Sequence, residues 1–140
     1  MPDRNPAPAG VPTATGAIPS YALYGTEAQP SWYDLVHFER ISERSGAYNY
    51  EIDPHVHEGL LQVLYPVVGG GEAFMDGTRW PVRAHSLIVV PARVVHGFHF
   101  SPDIDGPVLT AAQSPLESLA AVAAPELLAC LRQPMVLDVR

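Results

Sequence analysis

The chain has 140 residues, 47% of them hydrophobic and 16% charged, with a formal net charge of −7. This is enough for one globular domain with a real core, and too apolar for a disordered polymer. The eight basic residues are all arginines, scattered singly, which excludes the clustered cationic face of a nucleic-acid-binding surface.

Residues 1–16 contain four prolines and no apolar period, so they are expected to form a flexible tail. No segment has the length and apolarity of a signal core or a membrane span. One cysteine, Cys130, rules out an internal disulfide and points to a reducing compartment, the cytoplasm by default. From Trp32 onward the pattern is one of short strands broken by turns. Leu35–Ile41 alternates loosely, and Ala47–Ile52 is rich in aromatics. Leu60–Val68 is an apolar run closed by Gly69-Gly70-Gly71. Gly71–Phe74 and Arg79–Val82 flank Met75-Asp76-Gly77-Thr78, whose Asp-Gly pair predicts a hairpin turn. Ser86–Val90 is β-branched and stops at Pro91, and Gly97–Phe100 and Val108–Ala112 complete the set. About eight short strands at even spacing predict an all-β antiparallel sandwich or small barrel over residues 17–112.

Residues 113–140 change character. In Ser114-Pro115-Leu116-Glu117 the serine suits a helix cap, the proline the first helical position and the glutamate a capping box. Leu116, Leu119, Ala120 and Ala123 follow at helical spacing. Pro125 opens a second short helix carrying Leu127, Leu128 and Leu131. These helices are expected to pack on their own barrel or on a second subunit.

The chemistry concentrates in histidines. His55 and His57 are two apart and share a strand face. Gln62 has the parity of Leu60 and Leu64, and His96 that of Phe98 and Phe100, while His99 takes the opposite face. Converging, His55, His57, Gln62 and His96 would place three imidazoles and one amide oxygen around a point. That set suits a divalent metal such as Zn, Fe, Mn or Ni, with a position left open for water or substrate. The set is neutral, so it holds a cation less firmly than one containing a carboxylate. The alternative is a barrel whose histidines hydrogen-bond one another and an organic acid. No separate general base stands out among Glu51, Glu58 and Glu72. Asp53 and Glu58 read as solvated loop charges, His37 and Glu39 as a strand-edge pair, and Trp32 and Trp80 as packing residues.

The histidine spacing resembles the two cupin motifs, a His-x-His followed by Glu and later Pro-x-x-x-x-His. Here they read Pro54-His55-Val56-His57 with Gln62, and Pro91 with His96. Gln62 stands where metal-binding cupins carry Glu, Ala84-His85-Ser86 replaces the usual Gly-Asp turn, and Gly46 is poorly spaced for the opening glycine. The stretch Ile18–Thr110 further resembles the N-terminal sensor domain of AraC-type transcription regulators, in the branch controlling 4-hydroxybenzoate and related aromatic-acid catabolism. The matching pieces are Ile18-Pro19, Leu23-Tyr24-Gly25, Asp34–Glu39 with Ile41, Glu43-Arg44-Ser45, and Val94–Phe98 with Phe100–Asp103. The resemblance implies a small antiparallel cupin barrel (a jelly-roll-like double-stranded β-helix) with short C-terminal helices. It implies a homodimer that binds a small aromatic carboxylate and signals through the arm Ala17–Gln29 or the terminal helices. It also implies a helix-turn-helix DNA-binding pair, which these 140 residues do not carry, so the expected chain is either a sensor fragment or a stand-alone cupin.

For such a ligand the expected contacts are His55, His57, Gln62, Leu64, His96, Phe98 and Arg93, with Tyr48, Tyr50, Leu60 and Phe100 as further walls. Arg79 and Arg83 are the other candidate carboxylate partners, because guanidinium pairs with carboxylate as a fork. The competing reading is a metal-dependent cupin enzyme, a dioxygenase or isomerase of small acids; a third is a metabolite-binding barrel without regulation.

Overall fold

A computed structural model describes residues 36–140. The predicted tail, the arm Ala17–Gln29, Trp32 and the start of the first strand at Leu35 lie outside the described residues. The chain forms β1 (Val36–Arg40), a short helix α1 (Ile41–Gly46), β2 (Glu51–His55), β3 (Leu60–Leu64), β4 (Gly71–Met75), β5 (Thr78–Val82), β6 (Ser86–Val90), β7 (His96–Phe100) and β8 (Pro107–Ala112). After these come α2 (Gln113–Ala123), a 3-10 turn (Pro125–Leu127), α3 (Leu128–Arg132) and β9 (Met135–Asp138).

The strands make two antiparallel sheets, ordered β1-β8-β3-β6-β9 and β2-β7-β4-β5. Pairing is nested: β4 with β5, β3 with β6, β2 with β7 and β1 with β8. One long hairpin folded back on itself gives this order, and it begins at the Asp-Gly turn. Asp76 and Gly77 both have positive φ, 46° and 79°, as a two-residue turn matched to strand twist requires. The sheets do not close into the barrel expected from the sequence, because among the described residues no strand of one sheet pairs with a strand of the other. Between them lies the core, with Ile52, Leu64, Met75, Ile88, Val90 and Phe98 among its buried side chains.

Several elements depart from expectation for local reasons. The apolar run Leu60–Val68 is strand only to Leu64. Pro66 has no N–H for a ladder, and beyond it Val67 N–H donates to Asp105 O at 2.8 Å. The strand expected over Ala47–Ile52 begins only at Glu51, because Asn49 and Tyr50 take left-handed backbone, φ 55° and 62°. α2 starts at Gln113, with Ala112 as a cap that offers no side chain. Ser114 therefore does not cap, and Glu117 instead accepts from Gln113 Nε2 and Arg132 Nε, each at 3.0 Å. Neither α1 nor β9 shows as a regular period in the sequence. β9 pairs along β6, Val136 opposite Ile88. α2 follows β8 directly and contacts it; Leu61, Val89 and Ala111 are buried on the outer parity of their sheet, and Ala120 is buried on α2.

Candidate metal and ligand site

β2 does not alternate as a regular strand. Ile52 and His55 are both buried although three residues apart, with exposed Asp53 and Pro54 between them. A bulge there lets the register pass from Ile52 opposite Phe98 to His55 opposite His96. Gly97 makes room for it, since a Cβ at that position would sit 2.6 Å from Ile52 O and 3.1 Å from Pro54 N. His57 follows beyond the strand, its carbonyl accepting Arg93 N–H at 2.7 Å. The bulged strand, its β7 partner and the segment after it thus bring the three imidazoles to one place.

His55, His57 and His96 are each at most 2% exposed. Their ring centroids are 4.2–5.2 Å apart, and the three sets of candidate ligand atoms lie within 4.8 Å of one another, close enough to hold a metal ion. The hydrogen bonds fix the tautomers. His55 Nδ1 is 2.8 Å from Asp53 O, and His96 Nδ1 is 2.8 Å from Val94 O. A carbonyl only accepts, so both Nδ1 atoms carry the proton and both neutral rings present a bare Nε2 lone pair. His55 Nε2 lies 3.2 Å from His57 Nε2, so in the metal-free state His57 must donate. His96 Nε2 is buried with no hydrogen-bond partner among the described residues. Buried lone pairs facing one point, with the other ring nitrogen tied to backbone carbonyl, match how histidine holds a metal.

His55 and His96 stay neutral. Burial, reinforced by the neighbouring imidazoles His96 and His57, lowers the pKa of His55 to about 2. Burial lowers His96 to about 4, opposed by its bond to Val94 O and aided by His57. Neutral imidazole is the ligating form.

Gln62 reaches the interior from the opposite sheet. It is buried, and its Nε2 donates to Thr110 Oγ1 at 3.2 Å. With His55, Leu64, Phe98 and Phe100 it lines a small interior cavity of about 30 Å³. The expected side chains Leu64, Phe98 and Phe100 thus share a cavity with His55 and Gln62; Phe98 and Phe100 stack at 5.0 Å. Leu60, half-buried at the strand end, is not in that lining, and Tyr48 and Tyr50 pack at the margin of the core. The cavity has room for a water molecule and is far smaller than the cavity of about 150 Å³ that is known to bind benzene.

The arginines named from the sequence lie elsewhere. Arg93 is 80% exposed with its guanidinium 3.9 Å from Glu58, and Arg79 sits 3.7 Å from Glu72 on the outer face. Arg83 is exposed as well. The arginine that does line the cavity is Arg44 of α1, beside Ile41 and Ser45. The three stand at the i, i+3, i+4 spacing of a single helical face, a signal six residues long. His99 is on the outer face, 3.0 Å from Glu51, and Asp53 and Glu58 are exposed. Trp80 packs against the core as expected.

A larger groove, about 450 Å³, runs over Gly97 on the outer face between Glu51, Asp53, Glu72, Phe74 and Arg79. Its charged side chains are exposed and His99 lines it, whereas the clustered His55, His57 and His96 lie on the other side of the sheet, where His55 reaches the smaller cavity. No known family model matches the chain, and no curated protein is detectably similar to it.

Proposed function

We propose that this chain is a cupin-type ligand-sensing domain, of the kind found in AraC-type regulators, that binds a small carboxylic acid beside a divalent metal held by His55, His57 and His96. The observation that carries the reading is the two buried Nε2 lone pairs of His55 and His96, both locked by Nδ1–H donation to backbone carbonyls, of which that of His96 has no hydrogen-bond partner among the described residues. The nested strand pairing, which is that of a jelly roll, supports the cupin assignment. A bound Zn, Fe, Mn or Ni ion would supply a concentrated positive charge for a carboxylate. Gln62, on the facing sheet, is the candidate fourth ligand. An aromatic acid such as 4-hydroxybenzoate is the expected class, and the signal would pass through homodimer contacts or an attached DNA-binding domain.

Binding is favoured over turnover because the described cavity lining contains no carboxylate to serve as general base. The second reading, a metal-dependent dioxygenase or isomerase, draws on the same three imidazoles, which would leave coordination positions open. Titration of metal-free protein with zinc, nickel, manganese and ferrous ions, followed by 4-hydroxybenzoate with product analysis, separates the two. One ion per chain and saturable acid binding without product supports the sensor. Accumulating product supports the enzyme, and failure of all four ions to bind removes the metal from both.

His55→Ala and His96→Ala should each weaken metal binding by well over the 10–100-fold typical of losing a group that only orients a ligand. Unchanged affinity in either variant would place the metal elsewhere.

A further inference from the structure

Arg44 is unlike the other described arginines in facing inward. It lies on α1 at the wall of the histidine cavity, together with Ile41 and Ser45. Its Nε and Nη2 both bond the carboxylate of Glu39 at 2.9 Å, a two-pronged fork with both side chains about one-fifth exposed. Glu39 itself is on β1, outside the cavity lining, where it also meets His37 at 3.0 Å. Arg44 thus lines the cavity while its guanidinium is held by an internal carboxylate, close enough for its charge to act on His55.

The helix carrying Arg44 is fastened at its start, and the segment past its end, although hydrogen-bonded (Phe100 N–H to Tyr50 O, 2.9 Å), is strained. At its start Ile41 N–H donates to Gly106 O at 2.8 Å, Ser42 Oγ donates to Asp105 at 2.9 Å, and Arg40 pairs with the same carboxylate. Past its end, Asn49 and Tyr50 hold left-handed backbone in succession, a conformation a bulky side chain adopts only at a cost. These two residues lead directly into β2, which carries His55. A cavity of about 30 Å³ admits an aromatic acid only if its walls move; α1 is one of those walls, and the two residues in sparsely populated backbone beyond it are where such a movement is absorbed.

We propose that Arg44 is the residue by which the histidine cavity selects a carboxylate, and that the incoming acid displaces Glu39 from the guanidinium as α1 swings outward. Guanidinium–carboxylate forks are specific in geometry and strong for hydrogen bonds. The internal Glu39 fork would keep Arg44 folded and paired until a ligand of matching chemistry replaces it. An uncharged analogue of the same shape cannot make that exchange. The inference rests on the small-acid reading above and adds to it the residue that reads the charge.

The test is calorimetric titration of 4-hydroxybenzoate and its uncharged counterpart 4-hydroxybenzamide into the full chain, metal-loaded and chelated, in wild type, Arg44→Gln, Arg44→Lys and Glu39→Gln. Arg44→Gln should weaken acid binding roughly 10- to 100-fold, the range for hydrogen bonds to a charged group, and leave the amide unchanged. Arg44→Lys should fall between, because it keeps the charge and loses the fork. Glu39→Gln removes the competitor and should tighten acid binding several-fold, a gain that a misfolded variant cannot produce. Wild-type binding of the acid that is unaffected by Arg44→Gln, or falls equally for acid and amide with Glu39→Gln neutral, overturns the role of Arg44 and leaves the sensor reading standing. Wild type that binds metal but neither probe overturns the small-aromatic-acid reading, and Arg44 selection with it.

Discussion

His55 and His96 each donate Nδ1–H to a carbonyl two residues earlier in the chain, Asp53 O and Val94 O. Both rings are thus oriented by their own backbone rather than by a distant partner, and both are buried as neutral groups. Neutral burial has a consequence for acid stability. In the unfolded chain these histidines would protonate near pH 6.5, whereas in the folded protein His96 protonates only at about 4 and His55 at about 2. Between those values the unfolded state binds more protons, so stability falls as pH drops. Metal-free protein should therefore lose on the order of 2 kcal/mol between pH 6.5 and 4.5 from His96 alone. Urea melts of wild type and His96→Gln across that interval check this: the variant should show a shallower acid loss, and parallel curves would mean that His96 is not held neutral by its surroundings. The grouping of His55, His57 and His96 was legible as spacing, but the bulge that turns His55 inward and the end of β2 before His57 were not, because both depart from regular strand alternation. Arg44 was not, because its orientation depends on a six-residue helix too short to leave a period.

At the scale of elements, the site depends on β2 collapsing onto β7. Pro54 breaks the alternation of β2, and the bulge turns both Ile52 and His55 inward. The space for it is the missing side chain of Gly97, where a Cβ would meet Ile52 O at 2.6 Å. Gly97→Ala should push β2 away from β7, destabilise the protein by about 1–3 kcal/mol as overpacking does, and weaken metal binding by separating His55 from His96. Gly59→Ala is the control, since a Cβ there meets nothing within 4 Å. Melting curves and metal titrations of both variants decide it; equal behaviour of the two would show that the close approach at Gly97 is not what sets the site. Sequence patterning located the strands that alternate or end at a glycine or proline, such as β4, β5 and β6. It did not find β9, because Met135-Val136-Leu137 is too short a run to distinguish from the end of a helix. Nor could it separate the tyrosine-rich turn at 47–50 from the strand that follows, since aromatic residues signal strand propensity whether or not the backbone is extended.

At the scale of the whole molecule, the two sheets share no paired strands among the described residues and are joined across the core by side-chain packing. The three imidazoles come from β2, the segment after it and β7, all on one side, whereas Gln62 comes from β3 on the other. A metal held by the histidines alone would brace one sheet; one that also engages Gln62 would tie the two together. In either case binding to the folded state alone stabilises it, by about 2.7 kcal/mol at a free metal concentration of 100 Kd. For a domain of this size that corresponds to a rise in Tm on the order of 10 °C. Gln62→Glu distinguishes the two arrangements. Without metal it buries a carboxylate beside Leu64, Phe98 and Phe100, loses the amide's hydrogen bond to Thr110 and should lower Tm. With metal it adds one favourable charge to a neutral ligand set, so if Gln62 is within reach the affinity should rise by at least tenfold, one unit of about 1.4 kcal/mol, and the metal-induced gain in Tm should exceed that of wild type. Calorimetry with and without chelator measures both quantities. A Gln62→Glu protein that is destabilised but binds metal with wild-type affinity would confine the site to the three histidines and leave the facing sheet free to move with α1 when a ligand enters.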